Sequence, residues 1–314
     1  MNLEQKKVIV KVPHRVSGFF EIVDEINGKP FKYPVKIGSR GAGFNLNAFG
    51  ITKIKLLSTN ADDKIFINDT ELNEKAETTH FIVNYIKKFI KRPINVEIHH
   101  KFDFPVGCGY GASGVGALGT IFGLSKLLKI RLSELEKIKI AHISEVINRT
   151  GLGTVCGQIT GGLCILKEPG FPCSSEKISI PKNLIVVCGT FGIIHTKSIL
   201  NDPIISRAIK KEGKVALEKL IQNPNINNFI ESSMQFVKNT KITYFLKLDF
   251  INELMDELNK LKIMGASMNQ LGRSVYAICD KDSLKPVLEV FETFKPKIKI
   301  FQTSIYEGKT VRFI

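Results

Sequence analysis

The sequence predicts an α+β protein with two domains, and two observations favour this fold class. The chain has 314 residues, a length that suggests two domains or one large one. Of these residues 43% are hydrophobic and 24% charged, so the chain can bury a sizeable core. Alternating runs typical of strands are interleaved with amphipathic runs typical of helices. A stretch rich in proline and serine at 168–182 separates an N-terminal domain, 1–180, from a C-terminal domain, 181–314.

Strands dominate the beginning of the chain. Residues 8–13 predict a first strand. β-Branched and aromatic residues over 31–57 predict hairpins, with Gly38, Gly41 and Gly43 closing a turn between extended runs. Shorter strands are predicted at 64–69, 94–102 and 163–167, and the second of them carries His99 and His100 as expected surface residues.

Helices follow in the middle of the chain. A helical stripe of apolar residues begins at Thr78 or Thr79, either of which is a suitable N-cap. Ser133, with Glu136 three residues later, forms a capping box that starts another helix. The predicted helices cover 78–92, 113–128 and 134–148, and a loop rich in glycine follows at 150–162.

The second half of the chain resembles a small α+β sandwich. A buried strand is predicted at 183–190, and an alternating strand at 274–280. The chain ends in two further strands, 296–308 and 310–314. Helical patterns cover 197–222, 227–240, 249–262 and 282–294.

Charge and cysteine content restrict the function class. The net charge is +15, but the lysines are dispersed and no dense basic tract occurs, so we expect no nucleic-acid partner. A positive field also suits a small anionic substrate or a nucleotide. No apolar run is long enough for a membrane span and no signal peptide is evident, so we expect a cytoplasmic protein with no membrane partner. The six cysteines form no CxxC pair, and we expect them to be reduced.

The stretch PVGCGYGASGVGALG, 105–119, is the most informative segment. It lies between a predicted strand and a predicted helix, where glycines let the main chain approach a ligand and free N–H groups favour an anion. We therefore predict a phosphate cradle. GYGASG also fits the dinucleotide pattern GxGxxG, but Pro105 intervenes after the strand and Glu134 opens a helix instead of ending a second strand. The alternative is purely structural, with Gly114, Gly116, Gly119 and Gly123 permitting close helix packing.

PVGCGYGASGVG resembles the central motif of the GHMP kinases, P-x-x-x-G-L-G-S-S-A. The residues Pro105, Gly109, Gly111 and Ser113 fall in register, while Tyr110 and Ala112 depart from it. Residues 12–22 resemble the first motif of that family, and 263–278 resemble its third. The resemblance spans nearly the whole chain, and it implies a ribosomal S5 domain 2-like N-terminal domain and a ferredoxin-like C-terminal domain.

Within that family the chain is similar to the pantoate kinase branch. The shared segments are SGFFEI, GSRGAGFNLN, SEVINRTGLGTV and VCGTFGIIHTKSIL. This resemblance implies ATP-dependent phosphorylation of the 4-hydroxyl of pantoate, giving 4-phosphopantoate for coenzyme A biosynthesis in archaea. A kinase for another small alcohol, of the homoserine, shikimate or mevalonate type, is the alternative. A non-enzymatic nucleotide- or RNA-binding protein is the alternative of another class.

The resemblance also implies roles for particular residues. Ser113 and Glu145 would bind Mg²⁺ and act in catalysis. Thr154 stands where related kinases carry an aspartate, so no catalytic base is evident, and transfer without a base is compatible with a loose transition state. The residues expected to bind the ATP phosphates are Pro105, Gly107, Gly109, Tyr110, Gly111, Ala112, Ser113 and Gly114.

Pantoate carries a carboxylate, so its pocket should contain a cation. Arg40, with Ser39 beside it, is the first candidate. Other expected substrate ligands are His14, Arg15, His142, Arg149, Thr196 and Lys197. The alternative for Arg15 is a structural ion pair, and the alternative for His142 is to orient Glu145 from the same helical face. A homodimer is the expectation at the level of the family.

Overall fold

The computed structural model describes residues 7–58, 61–194 and 196–314, without the side chain of Thr196. In these ranges the chain forms two main β-sheets with helices packed on them. The strands are β1 (Lys7–Val23), β2 (Glu25–Ile26), β3 (Lys29–Pro30), β4 (Gly38–Leu57), β5 (Lys64–Ile67), β6 (Thr70–Glu71), β7 (Asn95–Phe102), β8 (Leu163–Leu166), β9 (Ser175–Ile178), β10 (Ile185–Thr190), β11 (Gly265–Met268), β12 (Ser274–Cys279), β13 (Lys299–Ser304) and β14 (Arg312–Phe313). The helices are α1 (Glu77–Lys87), α2 (Ala112–Leu127), α3 (Glu134–Asn148), α4 (Thr154–Thr160), α5 (Thr196–Asn201), α6 (Pro203–Gln222), α7 (Ile226–Thr240), α8 (Ile242–Phe245), α9 (Asp249–Asn259) and α10 (Leu284–Glu292).

The first sheet has the strand order β14-β1-β4-β7-β5-β6, with β8 paired to β4 and β9 paired to β8. Helix α2 packs against β1 and β4, and α1 and α3 pack against α2. Val10, Ile54, Ile98, Leu118 and Ile121 are fully buried between them. No helix in the described ranges is long and apolar enough to span a membrane.

Strands β1 and β4 pair along their length and form one long antiparallel ribbon. Since residues 38–57 are a single strand, the predicted hairpins over 31–57 were wrong. The register of β1 and β4 shifts between Ser17 and Phe19, where the two backbones approach closely. A Cβ atom on Gly41 would lie 2.4 Å from the carbonyl oxygen of Phe19, and one on Gly43 would lie 2.2 Å from that of Val16. Glycines inside a strand can mark such a close approach as well as a turn.

Helix α2 carries the glycines whose structural role was left open. A Cβ atom on Gly119 would lie 2.1 Å from Thr52 Oγ1, and one on Gly123 would lie 2.7 Å from Ile54 Cδ1. A Cβ atom on Gly114 would lie 2.4 Å from Gln158 Oε1 of α4. Close helix packing is therefore confirmed for these three, whereas the surroundings of Gly116 leave room for ordinary contacts.

The second sheet has the order β11-β12-β10-β13, and all its pairs are antiparallel. With α5 to α9 in the first crossover and α10 in the second, this is the βαββαβ arrangement of ferredoxin-like domains. Strand β14 does not join it, because Phe313 pairs with Val10 of β1. The chain passes from one sheet to the other between Ile178 and Ile185, and the domain boundary at 180 stays a prediction.

Several predicted boundaries and caps need correction. Thr78 and Thr79 lie inside α1 and are buried, and the helix ends at Lys87, five residues before the predicted end. Thr79 Oγ1 lies 2.9 Å from Nε2 of His100, and Thr52 Oγ1 lies 2.9 Å from its Nδ1, so this histidine is buried instead of exposed. The capping box at Ser133 is confirmed. The predicted loop over 150–162 contains α4, and Asp202 separates α5 from α6 by capping the latter.

Two of the six cysteines form a disulfide bond, which corrects the expectation that all are reduced. The chain after β8 folds back over α4 and places the Cα atom of Cys173 5.3 Å from that of Cys156, a distance suited to a bridge. Cys108, Cys164, Cys188 and Cys279 are free and buried. The sequence offers no spacing signal for this pair, because the two residues meet only through the tertiary fold.

We expect Cys156→Ser and Cys173→Ser to keep turnover while each lowers the free energy of unfolding of the oxidised protein by about 3 kcal/mol. The reason is that the bridge spans a sequence separation of 17 residues and restricts the unfolded chain. Urea unfolding with and without a reductant measures this. The reductant should destabilise the wild type and leave both variants unchanged, and loss of turnover in a folded Cys156→Ser would place Cys156 in the chemistry.

Candidate active site

The loop between β7 and α2 turns sharply because three glycines adopt left-handed backbone angles. Their φ values are +77° at Gly107, +88° at Gly109 and +67° at Gly111. A Cβ atom on Gly111 would also lie 2.7 Å from Thr154 Cγ2. The first turn of α2 has no acidic side chain, so its N–H groups and dipole favour a bound anion. The main chain of this loop can therefore hold phosphate groups.

A cavity of about 600 Å³ opens on this loop. Six of the residues predicted to bind phosphate line it, namely Gly107, Gly109, Tyr110, Gly111, Ala112 and Ser113. Pro105 and Gly114 do not line the cavity. Gly114 faces α4 instead. The side chain of Tyr110 is buried against Phe104, with ring centroids 4.4 Å apart. Side-chain recognition by Tyr110 is therefore not expected.

Ser113, in the first turn of α2, contacts Glu145, near the end of α3. Ser113 lines the cavity, whereas Glu145 is buried and does not line it. Ser113 Oγ donates a hydrogen bond of 2.7 Å to Glu145 Oε1, and the N–H of Val155 donates one of 3.2 Å to Glu145 Oε2. Glu145 is fully buried, and this burial raises the pKa of its carboxyl group from 4.5 to about 7. A cation beside Glu145 would favour its charged form.

This pair fits Mg²⁺ by the chemistry of its donors. A hydroxyl and a carboxylate are hard oxygen ligands, and Mg²⁺ commonly takes only one or two protein ligands beside phosphate and water. In the described ranges no cluster of three His, Cys, Asp or Glu side chains could hold a metal ion by itself. The site would therefore depend on phosphate oxygens to complete the coordination.

Thr154 lies at the start of α4 and lines the cavity. Its role beside the reacting groups stays a prediction. Thr154 brings no carboxylate there. Among the described residues that line the cavity, Glu77 at the start of α1 is the one carboxylate. Glu77 Oε1 accepts a hydrogen bond of 3.4 Å from Lys197 Nζ. The geometry thus offers no carboxylate at the position of Thr154.

Ser39 and Arg40 line the cavity from β4. Nε and Nη2 of Arg40 donate to Glu21 Oε2 at 3.0 and 2.7 Å, and about a quarter of the Arg40 side chain (28%) remains exposed. The N–H of Ser39 donates to the carbonyl of Leu152, which fixes the strand beside the loop that precedes α4. Strand β4 thus holds one cation and one hydroxyl at the cavity wall.

The remaining predicted substrate ligands divide into two groups. Arg15, Arg149 and Lys197 line the cavity, whereas the side chain of Thr196 lies outside the part that the structure describes. Arg149 donates to Asn201 at the beginning of the C-terminal domain. Arg15 is buried and donates to the carbonyl of Gly157 at 3.1 Å, which ties β1 to α4.

His14 and His142 do not reach the cavity, and this corrects their prediction as substrate ligands. His14 Nδ1 lies 2.9 Å from the carbonyl oxygen of Tyr110, and its ring packs between Phe102 and Phe104. His142 Nε2 lies 3.0 Å from the carbonyl oxygen of Ile37. Burial lowers the pKa of both histidines, that of His14 to about 4, so they are neutral groups that hold main chain in place.

Sequence reasoning missed several cavity residues. Gln270 and Leu271 line the cavity from the turn between β11 and β12, and Phe19 and Phe20 line it from β1. All four lie in segments whose motifs were recognised, SGFFEI and IMGASMNQLGRSVYAI, but no side chain there had been given a role. Glu77 had no sequence signal, because it reaches the cavity only through the packing of α1 on α2.

Comparison with known proteins agrees with this architecture. A family model described as "GHMP kinases N terminal domain" matches residues 80–162. A pantoate kinase from Methanocaldococcus jannaschii is 32% identical, with 89% of this chain and 96% of the relative covered. A pantoate kinase from Thermococcus kodakarensis is 30% identical, with 85% and 86% covered.

Solved structures show the same fold. A structure described as a phosphotransferase related to the CoA biosynthesis pathway superposes with a TM-score of 0.84 at 25% identity, and it covers 98% of this chain and 99% of its own. The predicted fold class, a GHMP kinase fold of α+β type, is therefore confirmed. With sequence identity over most of the chain and the fold in agreement, the chain belongs to the pantoate kinases of the GHMP kinase family.

Proposed function

We propose that this protein transfers a phosphoryl group from ATP to the 4-hydroxyl of pantoate, and that the product, 4-phosphopantoate, enters coenzyme A biosynthesis in archaea. The observation that carries this proposal is the 32% identity to a pantoate kinase over 89% of the chain. The geometry supports it, because the glycine-rich loop before α2, a cationic wall and Ser113, which donates a hydrogen bond to the buried Glu145, line one cavity of about 600 Å³. Such a volume suits a small ligand beside a nucleotide.

In this proposal ATP supplies the phosphoryl group and Mg²⁺ neutralises charge on the phosphate oxygens. The N–H groups from Gly107 to Ser113 bind the phosphates, and the helix dipole of α2 adds a favourable field. Ser113 Oγ and the Glu145 carboxylate would hold Mg²⁺, and Val155 keeps that carboxylate in place through its N–H. These groups are fixed before the ligand arrives, so little reorganisation is required.

Removal of the alcohol proton needs no side-chain base in this proposal. Thr154 has no proton-accepting carboxylate, and phosphoryl transfer depends mainly on positioning and charge neutralisation. The attacking hydroxyl can lose its proton late, when its oxygen has become acidic through bonding to phosphorus. Turnover would therefore depend on how the acceptor alcohol is oriented.

Ser39 and Arg40 would bind the pantoate carboxylate, with Arg149, Thr196 and Lys197 as further candidates. Since Arg40 already donates twice to Glu21, its guanidinium is preoriented along the cavity wall. A charged hydrogen bond to a carboxylate contributes about 1.5–3 kcal/mol.

We expect Arg40→Gln to raise KM for pantoate about 10- to 100-fold, with little change in KM for ATP. The loss follows from removal of the cation that pairs with the substrate carboxylate. Steady-state kinetics with each substrate varied in turn measure it. Lys53→Gln, an exposed change on the same strand β4, is the matched control and should behave like the wild type. An equal rise in both KM values would contradict this role.

ADP release with pantoate, homoserine, shikimate and mevalonate tests the proposed function directly. We expect turnover with pantoate alone, and ³¹P NMR of the product should show a phosphate ester on the primary hydroxyl. Turnover with another of these alcohols would favour the alternative kinase. Absence of ADP release with all four, together with salt-sensitive RNA binding, would favour a non-enzymatic protein, for which the net charge of +15 is the main argument. A homodimer, a cytoplasmic location and the absence of nucleic-acid or membrane partners stay predictions.

A further inference from the structure

Gln270 carries a buried polar atom that no protein group satisfies. The residue lines the cavity and is only 5% exposed. Its Nε2 donates to the carbonyl of Met268 at 3.4 Å, while Oε1 has no hydrogen-bond partner among the described residues. A buried acceptor without a partner costs about 1–3 kcal/mol. A ligand in the cavity would remove this cost if a rotation of the Gln270 side chain brought Oε1 to it.

The turn that carries Gln270 is held firmly against β1. The N–H of Gln270 donates to the carbonyl of Ser17 at 2.9 Å, and the N–H of Ser17 donates to Asn269 Oδ1 at 3.1 Å. The N–H of Gly272 closes the turn on the carbonyl of Asn269 at 2.9 Å. These bonds fix the main chain on both sides of the Gln270 side chain, so its position does not depend on a flexible loop.

The same turn packs directly on the phosphate-binding loop. A Cβ atom on Gly272 would lie 2.1 Å from the carbonyl oxygen of Cys108, and one on Gly109 would lie 3.0 Å from Asn269 Nδ2. Ser274 Oγ donates to the same carbonyl of Cys108 at 2.8 Å. Gln270 therefore lies where the phosphate-binding loop meets β1.

The β1–β4 register places Gln270 away from the proposed carboxylate ligands. Arg40 pairs with Glu21 and Ser39 pairs with Ile22, which lie four and five residues after Ser17 on β1. At about 3.3 Å per residue, the backbone positions paired with those ligands lie roughly 13–17 Å along β1 from Ser17. Of the two ends of a bound acceptor, Gln270 is thus nearer to the end that receives phosphate.

We propose that Gln270 Oε1 accepts a hydrogen bond from the hydroxyl group that is phosphorylated and positions that hydroxyl for attack. This inference rests on the proposed function. A carboxamide cannot take up the proton, so Gln270 acts as a positioning residue and not as a base. Since Thr154 brings no carboxylate to the cavity, orientation by a neutral acceptor is a function that this chain needs.

Gln270→Met tests the proposal, because it keeps the length of the side chain and removes the acceptor. We expect kcat for pantoate to fall about 10- to 100-fold. The dissociation constant of ATP, measured by calorimetry, should stay within about twofold of wild type. Gln302→Met makes the same change at an exposed position of β13 and should match the wild type. Gln270→Glu restores an acceptor oxygen and should keep a higher kcat than Gln270→Met, which separates the lost hydrogen bond from a packing defect.

A second acceptor shows which hydroxyl Gln270 contacts. The analogue of pantoate that lacks the 2-hydroxyl should suffer the same fold loss in kcat from Gln270→Met as pantoate does. If the loss disappears with that analogue, or if only KM changes, Gln270 contacts a group that does not react and the proposal is overturned. It is also overturned if kcat stays within about threefold of wild type. A wild type that turns over a different alcohol refutes the proposed function instead, and the same variants are then compared with that alcohol.

Discussion

We expect Glu145→Gln to lower kcat by about 100- to 1000-fold, as when one preorganised electrostatic group is removed from a phosphoryl-transfer site. Glutamine keeps the shape of the side chain and can still accept a hydrogen bond from Ser113, but it carries no charge to hold a cation. Single-turnover kinetics at several Mg²⁺ concentrations measure the change. Glu134→Gln, an exposed change on the same helix, is the matched control.

The same substitution should make the cation-free protein more stable at alkaline pH. The pKa of Glu145 is about 7 in the folded protein against an ordinary value of 4.5, so ionisation opposes folding as the pH rises through this range. At pH 8 the difference corresponds to about 3 kcal/mol, which Glu145→Gln should recover in the absence of Mg²⁺. A variant that is more stable yet nearly inactive would separate a functional charge from a structural one. Unchanged kcat would contradict the role in catalysis.

Acid destabilisation through buried histidines is the second large effect. Burial lowers the pKa of His14 and of His100 to about 4, from an ordinary value of 6.5. Between pH 6.5 and 4 the unfolded chain therefore binds protons at these histidines, whereas the folded chain does not. The stabilising free energy that is present above pH 6.5 is lost as the pH falls toward 4. Each histidine accounts for about 3 kcal/mol of this loss.

The contribution of Glu145 to the free energy of unfolding changes with pH in the opposite direction. It increases as the pH falls from 7 to 4.5, and so it cancels the loss caused by one of the two histidines. The net loss expected for the cation-free wild type between pH 7 and 4 is therefore about 3 kcal/mol. Urea unfolding across this range measures it. In the Glu145→Gln background the loss should double, and His100→Asn should reduce it. A free energy of unfolding that does not change with pH in the Glu145→Gln variant would contradict both pKa assignments.

The sharp turn of the glycine-rich loop before α2 could be predicted because its signals are local. Gly107, Gly109 and Gly111 directly precede a helix, and the need for left-handed backbone angles there is written in the residue type itself. Ser113 follows in the first turn of that helix. Glu145 is 32 residues away, and only the resemblance to a kinase family suggested that it meets Ser113. The helix capped by Ser133 was likewise predictable from a spacing of three residues.

Long-range contacts were not predictable in the same way. The sequence around Gly41 predicts a turn, yet Gly41 lies within strand β4. A glycine is needed there because the carbonyl of Phe19 comes too close for any side chain. His100 sits on an alternating strand whose outer face could have been solvent, but α1 covers it with Thr79. The local sequence of a strand does not indicate which of its two faces another helix will cover.

By itself, the sequence determined the fold class, the family and the position of the glycine-rich loop before α2, because these depend on composition, periodicity and short motifs. Only the tertiary structure decided which polar side chains reach the cavity. It buried His14 and His142 away from it, brought Glu77 and Gln270 to it, and joined Cys156 to Cys173. The physical reason is that burial and hydrogen-bond partners are set by elements far apart in the chain, whose packing a local pattern does not encode.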